Sequence, residues 1–373
     1  MKKKMAVLLA AWMAVSLGAC GTQGTEEEQT GNTGSTESTE NTESAAEEQE
    51  ASYEGETLVV QAWGGTYEET MRNDVIPQFE EKTGATVEVV SGAAPLSQLA
   101  TEGNNASIDV LSLDCNEVVQ GTEMGVLETL DYDKLENSKD LYEEAFMYDN
   151  AVITNWGVYG IVYRKDLVEE EPDSWEDLWN SAYAGGKVGV IDYSMGGGLE
   201  FADEIAHMQG SEISDKDNWD NLFEKLASLK DNIGIYGSQH ADIESMLTSG
   251  EIVMSVETNG RAINLLQEGY DIGFCMPKEG TPAMTSLAGI SKGSTQKELA
   301  YIFVNELLGT EAQKAYAEKN YYAPSNSKTV VDEELAAMMP YGQEEVSNLV
   351  YMDYAAFEEV KADFIERWNR EFK

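Results

Sequence analysis

The chain of 373 residues is strongly acidic, with 69 Asp and Glu against 24 Lys and Arg and a formal net charge of −45. This balance argues against nucleic acid as a partner, because binding to it relies on Lys and Arg that neutralise phosphate. The two histidines, His207 and His240, fit no zinc motif, and no C-x-x-C pair occurs. We therefore expect no metal site, no cofactor and no catalytic nucleophile pair, so the protein is predicted not to be an enzyme.

The first 20 residues have the layout of an export signal. Three lysines precede an apolar run at 5–17, which is shorter than the roughly 20 residues of a membrane span. Leu17, Gly18, Ala19 and Cys20 resemble a lipobox, in which the cysteine is acylated. We expect residues 1–19 to be removed and Cys20 to anchor the protein at the outer face of the cell membrane. The alternative is an ordinary cleaved signal followed by a chance cysteine.

A polar segment follows the predicted anchor. Residues 20–56 are rich in Gly, Thr, Ser and Glu and contain no Lys or Arg. Such a segment cannot bury enough apolar surface to offset the entropy of ordering. We expect a disordered, extended acidic linker that tethers a folded body.

The body opens with predicted elements in the order β-α-β-α-β. The pattern predicts strands at 57–63, 86–90 and 108–113 and helices at 67–83 and 96–101. This order implies parallel strands joined by right-handed crossovers. Ligands bind beyond the carboxyl ends of such strands, which is where Trp63 and Asp114 lie.

The middle of the chain repeats this alternation. Further strands are predicted at 150–164, 187–191, 252–256, 271–275 and 286–290, and helices at 174–180, 198 onward, 216–230, 241–249, 259–268, 296–308, 311–319 and 354–371. Asp192 and Tyr193 follow one strand, and Glu257 follows another. The predicted fold class is therefore α/β, with two blocks.

Two features leave alternatives open. The glycines at 196–198 precede a predicted helix and could cradle an anion on backbone N–H groups, or could simply form a flexible turn. Cys115 and Cys275 are either two separate buried thiols or one disulfide, and their spacing does not decide between these.

Several motifs, in order, resemble the spermidine/putrescine-binding group of periplasmic solute-binding proteins. The stretches that carry this resemblance are Ala62-Trp-Gly-Gly65, Pro77-Gln-Phe-Glu-Glu-Lys-Thr-Gly84, Asn155-Trp-Gly157, Ser174-Trp-Glu-Asp-Leu-Trp179, Met276-Pro-Lys-Glu-Gly280, Ser286-Leu-Ala288 and Tyr322-Ala-Pro-Ser-Asn326. Together they cover nearly all of 57–330.

The resemblance implies a type 2 periplasmic-binding-protein fold, in which two α/β lobes joined by crossing strands close on a solute. Lobe 1 would comprise 57–155 and 277–325, and lobe 2 would comprise 156–276 and 326–373. It also implies a monomeric receptor that delivers its solute to an ABC permease and its ATPase without chemistry. The solute class implied is a polyamine such as spermidine or putrescine.

In the polyamine binders, aromatic rings clamp a methylene chain and carboxylates hold the ammonium ends. Candidate ligand residues here are Trp63, Asp114, Asp192, Tyr193, Glu257, Arg261 and Tyr322. The chain departs from the group at Thr258 and Ala283, where rings are usual, and at Thr285, where an acid is usual. One ring pair and one acidic anchor are thus missing, and Arg261 adds a positive charge.

Each candidate also has a simpler explanation. Trp63 could be a core residue, Asp114 and Asp192 could cap the helices that follow them, and Glu257 and Arg261 could pair with each other. An anionic or zwitterionic solute held by Arg261 and the 196–198 turn is a second possibility. Three further alternatives remain. They are a sensor lobe that presents its ligand to a membrane receptor, a hydrolase with paired carboxylates, and an iron site at Tyr321 and Tyr322.

Overall fold

The computed structural model describes residues 52–373, so the predicted signal peptide, Cys20 and nearly all of the predicted linker lie outside it. The strands are β1 (Thr57–Ala62), β2 (Thr86–Ser91), β3 (Val110–Leu113), β4 (Ala151–Arg164), β5 (Val188–Ile191), β6 (Ile233–Gly237), β7 (Met254–Thr258), β8 (Ile272–Cys275), β9 (Thr281–Ile290), β10 (Ala323–Pro324) and β11 (Leu349–Val350). The helices are α1 (Thr66–Thr70), α2 (Ile76–Thr83), α3 (Leu96–Glu102), α4 (Cys115–Glu123), α5 (Gly198–His207), α6 (Trp219–Ser228), α7 (His240–Ser249), α8 (Asn259–Gln267), α9 (Lys297–Leu307), α10 (Thr310–Asn320), α11 (Glu333–Ala336), α12 (Gln343–Ser347), α13 (Tyr354–Glu358) and α14 (Lys361–Phe372).

Strand β4 belongs to both lobes. In lobe 1 the strand order is β2-β1-β3-β9-β4, with β1 parallel to β2 and β3. In lobe 2 the order continues as β4-β7-β5-β6, with β5 parallel to β6 and β7, and β8 lies on the other side of β4. The predicted βαβ units are therefore present in both halves, and β4 and β9 make the crossing.

Two glycines let the crossing strands approach closely. A Cβ at Gly157 would clash with the side chain of Met284, and a Cβ at Gly160 would clash with the backbone carbonyl of Cys275. Rotation of the Met284 side chain could relieve the first clash, but a larger residue at 160 would push β8 away from β4. The Asn155-Trp-Gly157 motif thus lies at the lobe crossing, as expected.

Helices cover both faces of each sheet and enclose the cores. The lobe 1 cores contain Phe79, Phe303 and Trp156, and the lobe 2 core contains Trp175 and Trp368. All five side chains are fully buried. Phe357 of α13 and Phe364 and Trp368 of α14 are all buried in the core of lobe 2.

Part of the C-terminal chain packs elsewhere than its predicted lobe. The side chains of Val331, Met339, Val346 and Leu349 share a core with Trp156 and with lobe 1 residues. From Met352 onward the chain packs in the core of lobe 2. Segment 331–349 therefore covers the crossing rather than filling lobe 2.

Local details differ from the predictions at a few points. Strand β6 was not predicted, because Ile233–Gly237 is short, contains two glycines and is only partly buried. The predicted helix at 174–180 is a 3₁₀ helix, Trp175–Trp179, and a π-helical turn, Met71–Val75, separates α1 from α2. Gly84 ends α2 in the left-handed conformation, at φ 74°, as expected for a C-terminal glycine.

The two cysteines of the described chain are both unbonded thiols, so the disulfide alternative is wrong. Cys115 is buried with its Sγ 2.9 Å from the hydroxyl of Thr285, and Cys275 is partly buried. None of the helices within 52–373 combines the length and the apolar character needed to cross a bilayer.

Candidate ligand cleft

A cavity of about 650 Å³ lies between the two lobes. Its lobe 1 wall contains Trp63, Gly64, Thr66, Tyr67, Asp114, Lys319, Asn320 and Tyr322, and its lobe 2 wall contains His240, Thr258, Gly260, Arg261 and Asn264. Tyr159, Met284, Thr285 and Ser286 from the crossing strands form the floor. A side cavity of about 330 Å³ shares Asp114, Tyr159, Met284 and Thr285 with it.

Two predicted aromatic residues line the lobe 1 wall. Trp63 directly follows β1 and is partly exposed, with its ring centroid 4.9 Å from that of Tyr67 in an edge-to-face arrangement. Tyr321 ends α10 with a left-handed φ of 62°, and its carbonyl accepts a hydrogen bond from the side chain of Asn259 at 2.8 Å. This turn brings the next residue, Tyr322, into the cavity.

Asp114 presents a carboxyl group to the cavity from the end of β3. Asp114 is also the N-cap of α4, as the simpler explanation expected: it forms a capping box with Glu117, whose Oε2 accepts from the Asp114 N–H at 2.9 Å. The surrounding walls desolvate this carboxyl, and with the nearby Glu117 and Glu200 they raise its pKa to about 7. No cationic side chain within 52–373 forms an ion pair with it. Asp114 is thus an acid that would gain from an incoming cation.

The lobe 2 wall carries two basic side chains that are held by carboxylates behind them. Arg261 Nη1 lies 2.6 Å from Glu244 Oε1, and its Nε lies 3.8 Å from Glu257 Oε2. His240 Nδ1 lies 2.9 and 2.8 Å from the two oxygens of Glu257. The Glu257 side chain is only 2% exposed. Glu257 is therefore not a wall residue, and it orders two residues that are.

The structure does not bring Asp192 and Tyr193 to the cavity. Asp192 accepts hydrogen bonds from Trp368 Nε1 at 2.8 Å and Lys373 Nζ at 2.6 Å. Burial opposes its ionisation, but Lys373 and Ser194 together hold its pKa below the usual range. The Tyr193 ring is fully buried and lies 4.4 Å, between centroids, from Trp368. Both residues therefore attach the C-terminal helix α14 to lobe 2.

The glycine turn at 196–198 is not available to an anion. Gly197 is the N-cap of α5, and its N–H donates to the carboxylate of Glu200, three residues later. Glu200 is 7% exposed and also accepts a hydrogen bond from the Tyr354 hydroxyl. A carboxylate of the protein thus already occupies the position that an anionic ligand would take, so this part of the anion alternative is wrong.

The paired-tyrosine iron site is not formed either. Tyr321 is buried and only Tyr322 lines the cavity. No group of three or more His, Cys, Asp and Glu within residues 52–373 is arranged to hold a metal ion.

Tyr159, Lys319 and His240 are among the cavity residues that sequence reasoning missed. Tyr159 lies within β4 between the two close-approach glycines, and Lys319 lies near the end of α10, where its Nζ is 2.5 Å from Asp74. His240 begins α7, just beyond the carboxyl end of β6. Recognition of β6 would have placed His240 at a strand end, where ligand residues are expected.

Residues 74–340 match the family described as bacterial extracellular solute-binding protein. The chain belongs to this family. As a member, the protein is an extracellular solute-binding protein.

Known relatives of this solute-binding protein differ in their ligands. The gamma-aminobutyric acid-binding protein of Pseudomonas aeruginosa is 23% identical over 290 residues, which cover 75% of this chain and 80% of that protein. The spermidine/putrescine-binding periplasmic protein of Escherichia coli is 24% identical over 268 residues, which cover 68% of this chain and 74% of that protein.

Solved structures confirm the fold. A crystal structure of an ABC transporter protein from Clostridium perfringens is 27% identical, with a TM-score of 0.74, and the match covers 85% of this chain and 100% of that one. The two-lobed periplasmic-binding-protein fold and the resemblance to the spermidine/putrescine-binding group are thus both confirmed.

Proposed function

We propose that the cleft binds a small ω-amino acid such as 4-aminobutyrate, with its ammonium group at Asp114 and its carboxylate at Arg261. One observation carries this proposal: the lobe 1 wall presents a carboxyl group with no cationic partner, while the lobe 2 wall presents a guanidinium group. A molecule with opposite charges at its two ends would satisfy both walls when they close.

The acid count of the wall argues against a diamine. A diamine buried between the lobes needs a carboxylate at each end, because an unpaired buried charge is strongly unfavourable. Asp192 is engaged by Lys373 and Trp368, and Glu257 lies behind His240. Thr285, at the position where the polyamine group has an acid, offers only a hydroxyl.

The aromatic residues suit the ammonium end of such a ligand. Trp63 and Tyr322 are both on the same wall as Asp114. A ring within about 6 Å of an ammonium group attracts it through the negative charge of the ring face. The rings can also cover the short methylene chain, which would exclude water from the charged contacts.

The names of both relatives support an amine ligand, but they differ on whether the ligand also has a carboxylate. The Pseudomonas relative is named for gamma-aminobutyric acid, a zwitterion, and the Escherichia coli relative for polyamines. Polyamine therefore stays as the second candidate, favoured by that relative and by the acidic chain. The charged residues of the wall are the reason to prefer the zwitterion.

Calorimetric titration of the full-length protein tests the proposal with 4-aminobutyrate, putrescine and n-butyrate. We expect binding of 4-aminobutyrate, and binding of the other two at least tenfold weaker, since each leaves one wall unpaired. Tighter binding of putrescine would establish the second candidate. Absence of heat with all three ligands at millimolar concentration would contradict both.

We also propose that Cys20 is acylated and holds the protein, as a monomer, at the outer face of the membrane. The lipobox-like sequence Leu17-Gly18-Ala19-Cys20 supports this. The Cys20→Ser variant, expressed in the native host, is expected to leave the membrane fraction. Equal membrane retention of Cys20→Ser and wild type would contradict the anchor.

A further inference from the structure

His240 lines the same wall as Arg261, and neither the family nor the relatives assign it a role. We infer that His240 donates a hydrogen bond from Nε2 to the carboxylate end of the ligand, and that the buried Glu257 holds it in this role. Because Nε2 can donate only when the ring carries two protons, carboxylate binding is then linked to proton uptake from water. This inference rests on the proposed function, since it needs a ligand that has a carboxylate.

The contact with Glu257 determines which ring nitrogen carries the first proton. Both Glu257 oxygens lie within 2.9 Å of His240 Nδ1. When Glu257 is ionised its carboxylate can only accept, and Nδ1 then carries the hydrogen. The neutral ring therefore presents Nε2 as an acceptor, which would repel a ligand carboxylate. The doubly protonated ring presents Nε2–H as a donor, which would attract one.

His240 lines the cavity, and its Nδ1 is engaged by Glu257. The side chain of His240 is 29% exposed, whereas that of Glu257 is 2% exposed. A Cβ built on Gly197 would lie 3.7 Å from His240 Cε1 and 3.1 Å from a Tyr159 ring carbon, so the backbone at Gly197 passes close to both rings. Nε2 has no hydrogen-bond partner among residues 52–373.

Charged and titratable groups surround His240 from several elements. They are Glu257 from β7, Arg261 from α8, Glu200 from α5, Tyr159 from β4, Glu244 from its own helix α7, and Asp114, Lys319 and Tyr322 across the cavity. A ligand carboxylate would add one more negative charge directly at Nε2, which favours proton uptake at the moment of binding.

Two ligands that differ only at one end separate this role from a structural one. We would titrate wild type and His240→Gln with 4-aminobutyrate and with 4-aminobutanamide, which keeps the amine and lacks the carboxylate. His240→Gln is expected to weaken the binding of 4-aminobutyrate about tenfold or more at pH 6, because a charge-assisted hydrogen bond is lost. Binding of the amide is expected to change less than twofold. His207→Gln, at an exposed position outside the cavity, is the matched control and should leave both ligands unchanged.

The proton count provides a second readout. Titration in buffers of different ionisation enthalpy measures the protons exchanged on binding. Proton release from Asp114 contributes equally to the proton counts of wild type and His240→Gln. The difference between the two proton counts therefore reports on His240 alone. We expect wild type to take up more protons with 4-aminobutyrate than His240→Gln does, and Glu257→Gln to shift this uptake to lower pH.

The failures are distinguishable. If wild type binds no 4-aminobutyrate, the proposed function is wrong and this inference falls with it. If wild type binds 4-aminobutyrate but His240→Gln weakens both ligands equally, or the proton counts of the two proteins agree, only the inference is overturned.

Discussion

Asp114 and Asp192 have nearly the same local setting and opposite surroundings. Each directly follows a buried four-residue strand, β3 or β5, and each lies close to the start of a helix. Asp114 faces the cavity without a cationic partner, whereas Asp192 is bound by Lys373 and Trp368 from the last turns of α14. A strand end thus places a carboxylate near a cleft, but distant parts of the chain decide whether it is free to bind a ligand.

The same contrast separates the two cavity walls. On lobe 1 the acid at Asp114 has no counter-ion, while on lobe 2 the basic side chains of Arg261 and His240 are each backed by a carboxylate. The first wall therefore favours an incoming positive charge. The second keeps its basic side chains ordered and leaves their remaining hydrogen-bond donors for an anion.

The largest expected effect is at Asp114. Asp114→Asn removes the charge that would pair with the ligand ammonium and leaves that ammonium unpaired in a closed cleft. We expect 4-aminobutyrate to bind at least about 100-fold more weakly, which corresponds to about 3 kcal/mol. Calorimetric titration measures this. Asp133→Asn, at an exposed site of lobe 1, should bind as wild type does; similar affinities for the two variants would refute the assignment of Asp114.

Glu204 is a third acid of this comparison, completely buried in α5 and without a ligand role. Its two oxygens have no hydrogen-bond partner within the described chain. Burial, with smaller contributions from Asp203 and Glu279, raises its pKa to about 8. The unfolded chain loses this proton near pH 4.5, so the folded state binds more protons between these values and stability falls as pH rises.

Glu204→Gln is expected to remove this pH-dependent loss. We expect it to stabilise the protein by about 2 kcal/mol at pH 7.5 and by much less at pH 5, because a neutral side chain needs no proton to stay buried. Urea unfolding at the two pH values measures the difference. The exposed Glu268→Gln is the control, and a gain that is the same at both pH values would contradict the explanation.

The pH dependence of amine binding isolates Asp114 from the opposite wall. 4-Aminobutanamide has no carboxylate for His240 or Arg261, so its affinity should follow the ionisation of Asp114. With a pKa of about 7, this carboxyl is mostly protonated at pH 6 and mostly ionised at pH 8. We expect the affinity to rise about tenfold between pH 6 and pH 8. A constant or falling affinity would show that another group controls the ammonium site.

The smallest binding effect is expected at Asp192. Asp192→Asn weakens the hydrogen bonds to Lys373 and Trp368, so we expect about 1–2 kcal/mol lower stability at neutral pH. Its pKa is lowered in the folded state, so this contribution should disappear as the solution becomes acidic. Ligand affinity should change less than twofold. Weaker ligand binding with unchanged stability would contradict this and indicate that Asp192 contacts the ligand.

The sequence was sufficient for the architecture because that depends on local patterns. The alternation of apolar strands and amphipathic helices predicted both α/β blocks, and the glycines near 157 marked the crossing. Strand ends then located Trp63 and Asp114 correctly at the cavity. Strand β6 was not predicted, because its two glycines and partial burial remove the usual apolar alternation.

The composition of the wall depends on contacts that local patterns do not contain. Lys373 lies 181 positions after Asp192 along the chain and still determines its role. Glu257 ends up behind His240 because side chains alternate along β7 and the one at 257 points away from the solvent. The assignment of Tyr193 failed for a similar reason, since α14 covers that face of lobe 2.

Trp63 has a practical consequence. Of the tryptophans within 52–373, it alone lines the cavity, whereas Trp156, Trp175 and Trp368 are fully buried. A ligand that contacts its indole or closes the lobes around it is expected to change the intrinsic fluorescence, over a background from the tryptophans outside the cavity. The protein therefore carries its own label-free optical sensor of occupancy, and unlabelled libraries of solutes can be screened by emission alone.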